Sequence, residues 1–257
     1  MHIEGKVVLI TGASEGIGAA CADEFRERGA KLSLVARSEE KLRAAAGPDD
    51  LVTAGDITSP ESREALVSRT LERFGAIDIL INNAGMGLYA PSWDTPLEEA
   101  RQLFELNFFA PLALIQLVTP HMRPRRSGMI VNISSIAGRV TLPWFTLYSA
   151  SKFALGSLTD GLRMELRDDG IATMTVCPGY VQTAFQAHAL RGGPPSAVAR
   201  RKQSALTPQQ CARVIADGVA RGSRSVMAGR TNWLLVLAHR LFPSLVDSRL
   251  AALLHDV

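Results

Sequence analysis

A glycine-rich turn near the start of the chain constrains the fold more than any other stretch. The turn, residues 11–18 (TGASEGIG), follows a β-rich apolar run at residues 7–10 and precedes a segment with helical spacing. Gly12 permits a tight turn, Gly16 lets the backbone approach a pyrophosphate, and Gly18 lets the helix pack closely on the strand. Because the helix N-terminus then faces the anion, this stretch predicts a phosphate-binding corner.

The rest of the chain alternates short apolar runs with segments of helical spacing. Such alternation is typical of parallel sheets, in which a helix connects one strand to the next. With 257 residues, 47% of them hydrophobic and 21% charged, the chain has the size and composition of one large α/β domain. We therefore predict a single-domain α/β fold, a doubly wound parallel sheet of about seven strands with helices on both faces. The predicted strands are residues 7–10, 31–36, 51–54, 77–81, 129–133, 172–176 and 225–228, and the predicted helices include 60–74, 150–166 and 208–220.

The charge and cysteine content argue against several classes of function. The net charge of +3 is spread along the chain, which gives little support for nucleic acid as a partner. The three cysteines are far apart in sequence and form no metal or redox motif, so we expect reduced thiols, no metal site and a cytoplasmic protein. The N-terminus shows no signal-peptide pattern. No uninterrupted apolar run approaches the roughly 20 residues that span a bilayer.

The end of the second predicted strand indicates which cofactor is bound. An acidic residue there accepts hydrogen bonds from both ribose hydroxyls and selects NAD, whereas an Arg accommodates the 2′-phosphate of NADP. This chain has Arg37 and Ser38 and no acid before Glu39. A guanidinium holds a phosphate through two parallel hydrogen bonds, and a serine hydroxyl adds a third, so we predict NADP(H). Glu15 weakens this preference slightly, because it places a negative charge near the same phosphate.

Other strand ends and one helix carry further candidates. Asp56 follows the third predicted strand and is suited either to accept from an adenine amino group or to serve as a plain turn or helix cap. Small residues in the stretch 82–85 (NNAG) let the chain pass close to a ligand. Asn107 lies in an apolar helix that Pro111 is expected to bend rather than end. A buried amide needs partners, so Asn107 is either a satisfied core residue or part of a polar relay.

Tyr148 and Lys152 lie four residues apart on a predicted helix and therefore on one face of it. A phenol with a pKa near ~10 is a poor proton carrier at neutral pH. A lysine ammonium one turn away favours the phenolate and lowers that pKa. The pair is then able to give or take a proton near neutral pH, as general acid–base catalysis requires.

Taken together, these motifs resemble the classical short-chain dehydrogenase/reductase family over roughly residues 5–230. T-G-x-x-x-G-x-G, N-N-A-G, a helix Asn, a strand-end Ser, Y-x-x-x-K and P-G occur in the expected order. The resemblance implies a Rossmann fold and hydride exchange between a nicotinamide and a carbonyl or alcohol. The sequence S-A-S-K-F-A-L that follows Tyr148 is similar to the hydroxysteroid and lipid-ketone branch.

The resemblance also assigns roles to residues. Tyr148 is the acid–base, Lys152 lowers its pKa and holds the nicotinamide ribose, and Asn107 anchors a water that relays protons to bulk. Ser135 holds the substrate oxygen. It is preferred to Ser134 because the family serine usually lies three residues before a glycine, here Gly138, and thirteen before the catalytic tyrosine, here Tyr148. The predicted cofactor contacts are Gly12, Ser14, Gly16, Ile17, Gly18, Arg37, Ser38, Asp56, Ile57, Asn83, Ala84, Gly85, Tyr148, Lys152, Pro178, Gly179, Val181 and Thr183, with the last two at the carboxamide end.

Residues 231–257 form an apolar C-terminal extension beyond the predicted domain of residues 1–230, in which residues 184–206 are expected to be a mobile substrate loop. Pro243 divides the extension into two predicted amphipathic segments. The pattern suits two helices packed on the domain or on a second copy of the chain, and it also suits a substrate lid or a membrane-surface segment. With two Arg against two Asp its formal charge is zero, so attraction to anionic lipid does not separate these readings.

We therefore predict an NADP(H)-dependent oxidoreductase that interconverts a lipophilic ketone and a secondary alcohol, such as a steroid, a 3-oxoacyl chain or a long-chain keto lipid. One alternative is a 3-oxoacyl thioester reductase of fatty-acid synthesis, for which Arg191, Arg200, Arg201 and Lys202 would supply a basic docking patch. Another is a non-catalytic nucleotide-binding scaffold, which need not keep all four residues of the catalytic set. We expect a homodimer or homotetramer, with peripheral membrane contact as one role of the extension.

Overall fold

A seven-stranded sheet forms the centre of the computed structural model, which describes residues 1–191, 205–229 and 232–252. The order across the sheet is β3-β2-β1-β4-β5-β6-β7, and neighbouring strands run parallel. This confirms the predicted doubly wound sheet. The strands are β1 (Val7–Thr11), β2 (Lys31–Ala36), β3 (Leu51–Ala54), β4 (Ile79–Asn82), β5 (Gly128–Ile133), β6 (Ile171–Pro178) and β7 (Ser225–Ala228).

Helices cover both faces of the sheet. One apolar core holds residues of α1, α2 and α7, and a second holds residues of α3, α5 and α6. The helices in the described ranges are α1 (Gly16–Glu27), α2 (Glu39–Ala45), α3 (Pro60–Phe74), α4 (Leu97–Phe104), α5 (Ala110–Met122), α6 (Thr146–Glu165), α7 (Pro208–Arg221), α8 (Asn232–Leu241) and α9 (Pro243–Ala252).

Strand β1 shows why the predicted strands are continuous apolar runs. Its residues alternate between the two cores, so that Val8 and Ile10 join the core that contains Phe25 of α1, and Leu9 joins the core that contains Leu66 of α3. All five side chains are fully buried. A strand that is covered on both faces has no solvent-facing position, so it is predominantly apolar, and the Thr11 hydroxyl at its end is paired with backbone groups of β4 and the residues after it.

The strand order places the carboxyl ends of β1 and β4 at a point where the connections diverge. β1 lies between β2 and β4, and the chain moves outward in opposite directions on the two sides of this pair. In open α/β sheets such a switch point opens a crevice for ligands. The glycine-rich turn, Arg37, Asp56, Asn83 and Ser135 follow the ends of the first five strands and therefore lie along one edge.

Several predicted boundaries differ by one or more residues from those observed, and the starts of β4 and α6 have an identifiable cause. β4 begins at Ile79 because the preceding Asp78 turns its carboxylate to the backbone N–H of Val7, at 3.0 Å, and to Arg125, at 2.8 Å. α6 begins at Thr146, four residues earlier than predicted, because its first turn is closed by hydrogen bonds to the Phe145 carbonyl. Tyr148 and Lys152 consequently share this helix.

A π-helical turn, Glu105–Phe109, joins α4 to α5. The Ala110 N–H donates to the Glu105 carbonyl, five residues back, and Pro111 has no N–H for the carbonyl of Asn107. Within the described ranges, Leu97–Arg125 is the one segment long and apolar enough to be a candidate membrane span. Several of its apolar side chains are buried against the sheet, which accounts for its composition.

The C-terminal extension forms α8 and α9, which meet at Pro243. Val236 is buried, whereas the neighbouring apolar side chains stay exposed in the isolated chain: Trp233, Leu234, Leu237, Leu241, Phe242 and Leu245. Of the predicted mobile loop 184–206, residues 192–204 lie outside the described residues, and so do Arg200, Arg201 and Lys202.

Candidate active site

The glycine-rich turn packs too closely for side chains. Gly12 and Gly16 have φ angles of 64° and 60°, in the left-handed region. A Cβ on Gly12 would lie 2.9 Å from the Cα of Ala84, and a Cβ on Gly18 would overlap the Gly12 carbonyl oxygen. The glycines therefore bring α1, β1 and the end of β4 together and leave bare backbone at the mouth of the crevice.

Asn83 ties the end of β4 to this turn. Its side-chain amide donates to the carbonyl oxygens of Thr11 and Gly12, at 2.9 and 3.1 Å. The Thr11 hydroxyl in turn accepts from the backbone N–H groups of Asn83 and Ala84, both at 3.0 Å. The two backbone segments that are predicted to contact the cofactor are thus held side by side. Ser14 and Ile17 are half-buried on the same turn.

Arg37 and Asp56 line one cavity of about 360 Å³ at the ends of β2 and β3, with α4 on its far side. Arg37 is exposed, and among the described residues it has no carboxylate partner. Asp56 accepts from the backbone N–H and the hydroxyl of Thr58, at 2.9 and 2.8 Å, so one of its oxygens holds a turn. This end of the crevice offers a guanidinium without an ion-pair partner among the described residues, in a cavity that Asp56, Glu98 and Glu105 also line.

Ser38 and Ile57, two other predicted cofactor contacts at this end, have structural roles in the fold. Ser38 is the N-cap of α2, where its hydroxyl accepts from the N–H of Lys41 at 3.4 Å. Ile57 is buried in the core beside Leu66, so its side chain is not brought into the cavity. If Ile57 contacts the cofactor as predicted, it does so through its backbone.

The acid–base group, Ser135, Tyr148 and Lys152, lies at the carboxyl end of β5 and the amino end of α6. The Lys152 ammonium donates to the Ile133 carbonyl at 3.0 Å and lies 5.7 Å from the centre of the Tyr148 ring. The Ser135 hydroxyl lies close to the Tyr148 side chain and accepts from the Ala137 N–H at 3.1 Å. Ser134 is instead buried and donates to the carbonyl of Lys152 at 3.0 Å. The structure therefore places Ser135 rather than Ser134 beside the tyrosine.

Asn107 is a fully buried residue whose side chain is satisfied. Its amide oxygen accepts from the Met86 N–H at 2.9 Å, and its amide nitrogen donates to the Met86 carbonyl and the Ser151 hydroxyl, at 3.0 and 3.1 Å. A Cβ on Gly85 would lie 3.0 Å from the Asn107 oxygen and 3.3 Å from the Lys152 ammonium nitrogen. The structure thus brings Asn107, Gly85 and Lys152 together.

Burial sets the proton affinities of this group. It raises the pKa of Tyr148, with the nearby Ser135 hydroxyl opposing the rise and Tyr89 adding to it. It lowers the pKa of Lys152 to about 8, because a low-dielectric site disfavours the ammonium. That Lys152 lowers the pKa of Tyr148 stays a prediction; in this structure the ammonium donates to the Ile133 carbonyl, and burial dominates the pKa of Tyr148. Tyr148 is therefore held as the phenol, the form that donates a proton.

The comparison with protein families decides the assignment. The sequence model of the short chain dehydrogenases matches residues 6–192, well over half of the chain. The match includes the glycine-rich turn, Ser135, Tyr148 and Lys152. The chain belongs to the short-chain dehydrogenase family.

Relatives and solved structures support this assignment. A dehydrogenase/reductase SDR family protein 7-like from Anopheles gambiae is 35% identical over 242 residues, which cover 88% of this chain and 75% of that protein. A Burkholderia cenocepacia short chain dehydrogenase in complex with NADP superposes with a TM-score of 0.83 at 29% identity, covering 97% of this chain and 99% of that one. A 3-ketoacyl-(acyl-carrier-protein) reductase from Brucella melitensis, complexed with NADH, gives 0.80 and 27%, covering 89% and 99%. This short-chain dehydrogenase is thus a Rossmann-fold oxidoreductase that uses a nicotinamide cofactor.

The C-terminal extension of the short-chain dehydrogenase begins at the predicted nicotinamide end. The Ala228 carbonyl accepts from the N–H of Gly179, at 3.1 Å, and from the side chain of Asn232, the first residue of α8, at 2.7 Å. A Cβ on Gly179 would overlap the Asn232 amide. Asn232 therefore anchors α8 against the Pro178–Gly179 turn.

Val181 and Thr183, the remaining predicted contacts, lie after this turn. Val181 forms an isolated parallel bridge with Leu206. The methyl carbon of Thr183 lies 3.1 Å from the Cβ position of Gly16, and its hydroxyl accepts from the Phe185 N–H at 3.3 Å. Thr183 consequently faces the glycine-rich turn across the crevice.

Sequence reasoning missed the aromatic residues that surround Tyr148. The ring of Phe145 stacks between Tyr89 and Tyr148, with centroid distances of 4.3 and 4.1 Å, and Phe185 meets Tyr148 edge-on at 5.7 Å. Burial raises the pKa of Tyr89 to about 12. Phe145 immediately precedes α6, whereas Tyr89 and Phe185 lie in connecting segments without periodicity, so no sequence pattern places them beside Tyr148.

Residues 184–191 complete this cover. Leu190 forms a parallel bridge with Leu88, and the Arg191 guanidinium pairs with the Glu99 carboxylate at 2.6 Å. Together with Phe185 these contacts leave Tyr148 only 6% exposed. The acid–base group of the short-chain dehydrogenase therefore lies under an apolar cover.

Proposed function

We propose that this short-chain dehydrogenase uses NADP(H) to interconvert a lipophilic ketone and a secondary alcohol, such as a steroid, a 3-oxoacyl chain or a long-chain keto lipid. The observation that carries the proposal is the Tyr148, Ser135 and Lys152 group buried beneath an aromatic cover. The partly buried side chains packed around this cluster, Met86, Leu142 and Leu190, are also apolar. A polar substrate would lose its hydration in such surroundings without compensation.

The residues present fit a nicotinamide dinucleotide. Glycines stand where the backbone would meet a pyrophosphate, and Arg37 has no carboxylate partner in the described part of the chain. The glycine-rich turn, the stretch Asn83 to Gly85 and Lys152 would hold the cofactor. When bound, the cofactor supplies or accepts the hydride at the carbon that carries the substrate oxygen.

The chain's own residues manage the charge on that oxygen. Ser135 donates a hydrogen bond to it, and Tyr148 donates its proton as negative charge develops. The raised pKa of Tyr148 keeps the proton on the phenol until that charge appears. The Lys152 ammonium then stabilises the phenolate that remains. These interactions accelerate the reaction because they are stronger in the transition state than in the ground state.

Arg37 is proposed to select NADP(H). Replacing Arg37 with Asp should weaken NADPH binding at least tenfold, because a charge-assisted hydrogen-bonded pair of about 1.5–3 kcal/mol becomes a repulsion. The same carboxylate should improve NADH binding, since it accepts from the ribose hydroxyls. Fluorescence titration of wild type and variant with both cofactors measures the four dissociation constants.

Arg73→Asp is the matched control for this change. Arg73 lies at the C-terminal end of α3, and the site lies where the helices begin, so the variant alters net charge without altering the crevice. Its NADPH affinity should equal that of wild type. A wild-type protein that already prefers NADH would refute the cofactor assignment.

One alternative substrate is supported by a specific observation. The Brucella melitensis reductase named above acts on 3-ketoacyl chains attached to a carrier protein, which favours a 3-oxoacyl thioester reductase as the second candidate. The basic patch proposed for carrier docking is weakened because Arg191 pairs with Glu99. NADPH oxidation across ketosteroids, long-chain ketones and 3-oxoacyl thioesters separates the candidates. Cofactor binding without oxidation of any of them would favour a scaffold.

The exposed apolar side chains of α8 and α9 are proposed to close over the lipophilic substrate, because Asn232 anchors this extension at the nicotinamide end. A variant with Leu237, Leu241 and Leu245 replaced by Ser keeps the buried Val236 and the Asn232 anchor. It should raise KM for steroid and long-chain ketones several-fold more than for a small ketone, and it should leave NADPH affinity unchanged. Steady-state kinetics with both substrate classes test this.

Two other outcomes would contradict the lid. If wild type floats with liposomes and the serine variant does not, the extension is a membrane-surface segment. If only the mass in light scattering changes, the extension belongs to a subunit interface. We propose a cytoplasmic homodimer or homotetramer, and the same light-scattering measurement on wild type tests the oligomeric state.

A further inference from the structure

Glu15, in the glycine-rich turn, contacts an ammonium and an imidazole from opposite sides of the crevice. One carboxylate oxygen lies 3.3 Å from the ammonium of Lys41, on α2. The other lies 2.9 Å from the imidazole of His188, in the segment that covers Tyr148. Neither contact follows from the sequence, because Glu15 is 26 residues from Lys41 and 173 residues from His188.

Lys41 is close to where the 2′-phosphate of the proposed cofactor would lie. It stands one turn after Ser38, whose hydroxyl accepts its backbone N–H, and Arg37 immediately precedes that serine. The Lys41 ammonium reaches back to the turn after β1. Its charge therefore lies between the end of β2 and the glycine-rich turn, the two elements that flank the adenosine ribose in this type of fold.

Lys41 can leave its ion pair with Glu15 at little cost in free energy. The side chain of Lys41 is 57% exposed and that of Glu15 is 39% exposed. Ion pairs in such positions are individually weak, because water competes with both partners. A phosphate group carries nearly two negative charges and three acceptor oxygens, so it is a stronger partner for an ammonium than one carboxylate. Glu15 would keep His188 as a partner after Lys41 had moved.

We infer that Lys41 is a second cation for the 2′-phosphate of NADP(H), and that Glu15 sets the affinity for this cofactor by competing for Lys41. This inference rests on the proposed NADP(H) dependence and deepens it. Glu15 acts against the phosphate in two ways, through its own negative charge and by holding Lys41 away. The enzyme would therefore bind NADPH less tightly than its two cations alone would allow.

Two substitutions should change NADPH binding in opposite directions. Lys41→Met should weaken NADPH about tenfold, because a charge-assisted contact with the phosphate is lost. Glu15→Gln should tighten NADPH roughly two- to fivefold, because the competing charge is removed. NADH has no 2′-phosphate, so its dissociation constant should change less than about twofold in both variants. Retained NADH binding also shows that each variant is folded.

The double variant and a matched control complete the test. In Glu15→Gln/Lys41→Met the gain from Glu15→Gln should shrink, because no ammonium remains to be released. Arg43→Met removes another exposed cation of α2, one that pairs with Glu39 at 2.7 Å, and it should leave both affinities unchanged. Fluorescence titration with NADPH and NADH gives all the constants.

The outcomes separate this inference from the proposed function. If wild type prefers NADPH but Lys41→Met changes NADPH and NADH equally, or changes neither, the inference is wrong and the cofactor assignment stands. If Arg43→Met weakens NADPH as much as Lys41→Met, general surface charge explains the effect and the inference fails. If wild type prefers NADH, both the assignment and the inference fail.

Discussion

Replacing Tyr148 with Phe is expected to lower kcat by roughly 10²–10⁴-fold, the usual contribution of a positioned acid. The ring packs between Phe145, at 4.1 Å, and Phe185, at 5.7 Å, and a phenylalanine keeps both contacts. What the variant loses is the hydroxyl that carries the proton and lies beside Ser135. NADPH affinity should therefore stay within about twofold of wild type, so that the defect lies in turnover and not in binding.

Single-turnover NADPH oxidation with the best ketone substrate measures this effect, and NADPH titration verifies the site. Tyr180→Phe is the matched control, because the hydroxyl of Tyr180 donates to Gln186 at 3.0 Å and has no part in the proposed proton transfer. That variant should keep a kcat close to wild type. A Tyr148→Phe enzyme with more than about half of the wild-type kcat would remove Tyr148 from the mechanism.

Gly18→Ala is expected to destabilise the protein by about 3 kcal/mol or more, since its Cβ would overlap a backbone carbonyl that has no rotamer to change. The strained carbonyl belongs to Gly12, so β1 and α1 must separate or the turn must distort. For a chain of this size a loss of about 3 kcal/mol lowers Tm by roughly 6–12 °C. Nucleotide affinity should fall as well, because the turn presents the anion-binding backbone.

Gly161→Ala is the control for this prediction. Gly161 also lies inside a helix, α6, but its Cβ would meet only the Glu165 side chain, at 3.9 Å. In a helix interior alanine is favoured over glycine by roughly 0.5–1 kcal/mol, so this variant should be slightly more stable than wild type. Thermal unfolding followed by circular dichroism compares the two. Equal Tm values for Gly18→Ala and wild type would show that the turn can relax.

The sheet could be predicted because its cause is local. The inner strands are covered on both faces and are therefore predominantly apolar. The apolar run at residues 7–10 predicts the first strand, and the three glycines that follow it predict the turn. The edge on which Arg37, Asp56 and Asn83 lie was predictable for the same reason, since the carboxyl ends of parallel strands share one edge. The spacing of residues did not predict the role of each side chain at that edge. Ser38, for example, caps α2, and the side chain of Ile57 is buried in the core.

The electrostatics of the acid–base group could not be read from spacing. Four residues of separation place Tyr148 and Lys152 on one face, but the pKa of each depends on burial and on the atom toward which the ammonium is directed. The cover arises from contacts between distant segments, such as the bridge between Leu88 and Leu190. No local pattern encodes a contact between two connecting segments, because neither has a periodicity to match.

Because of the π-helical turn between α4 and α5, we expect this segment not to tolerate the insertion or deletion of a residue. A π turn holds one residue more than an α-helical turn, so loss of one residue from Glu105–Phe109 would restore regular helix and remove the bulge that carries Asn107. Asn107 would then leave Met86 and Ser151, its three hydrogen bonds would break, and a buried amide would remain unpaired. We expect length changes to be tolerated in exposed turns of this chain and not in these five residues.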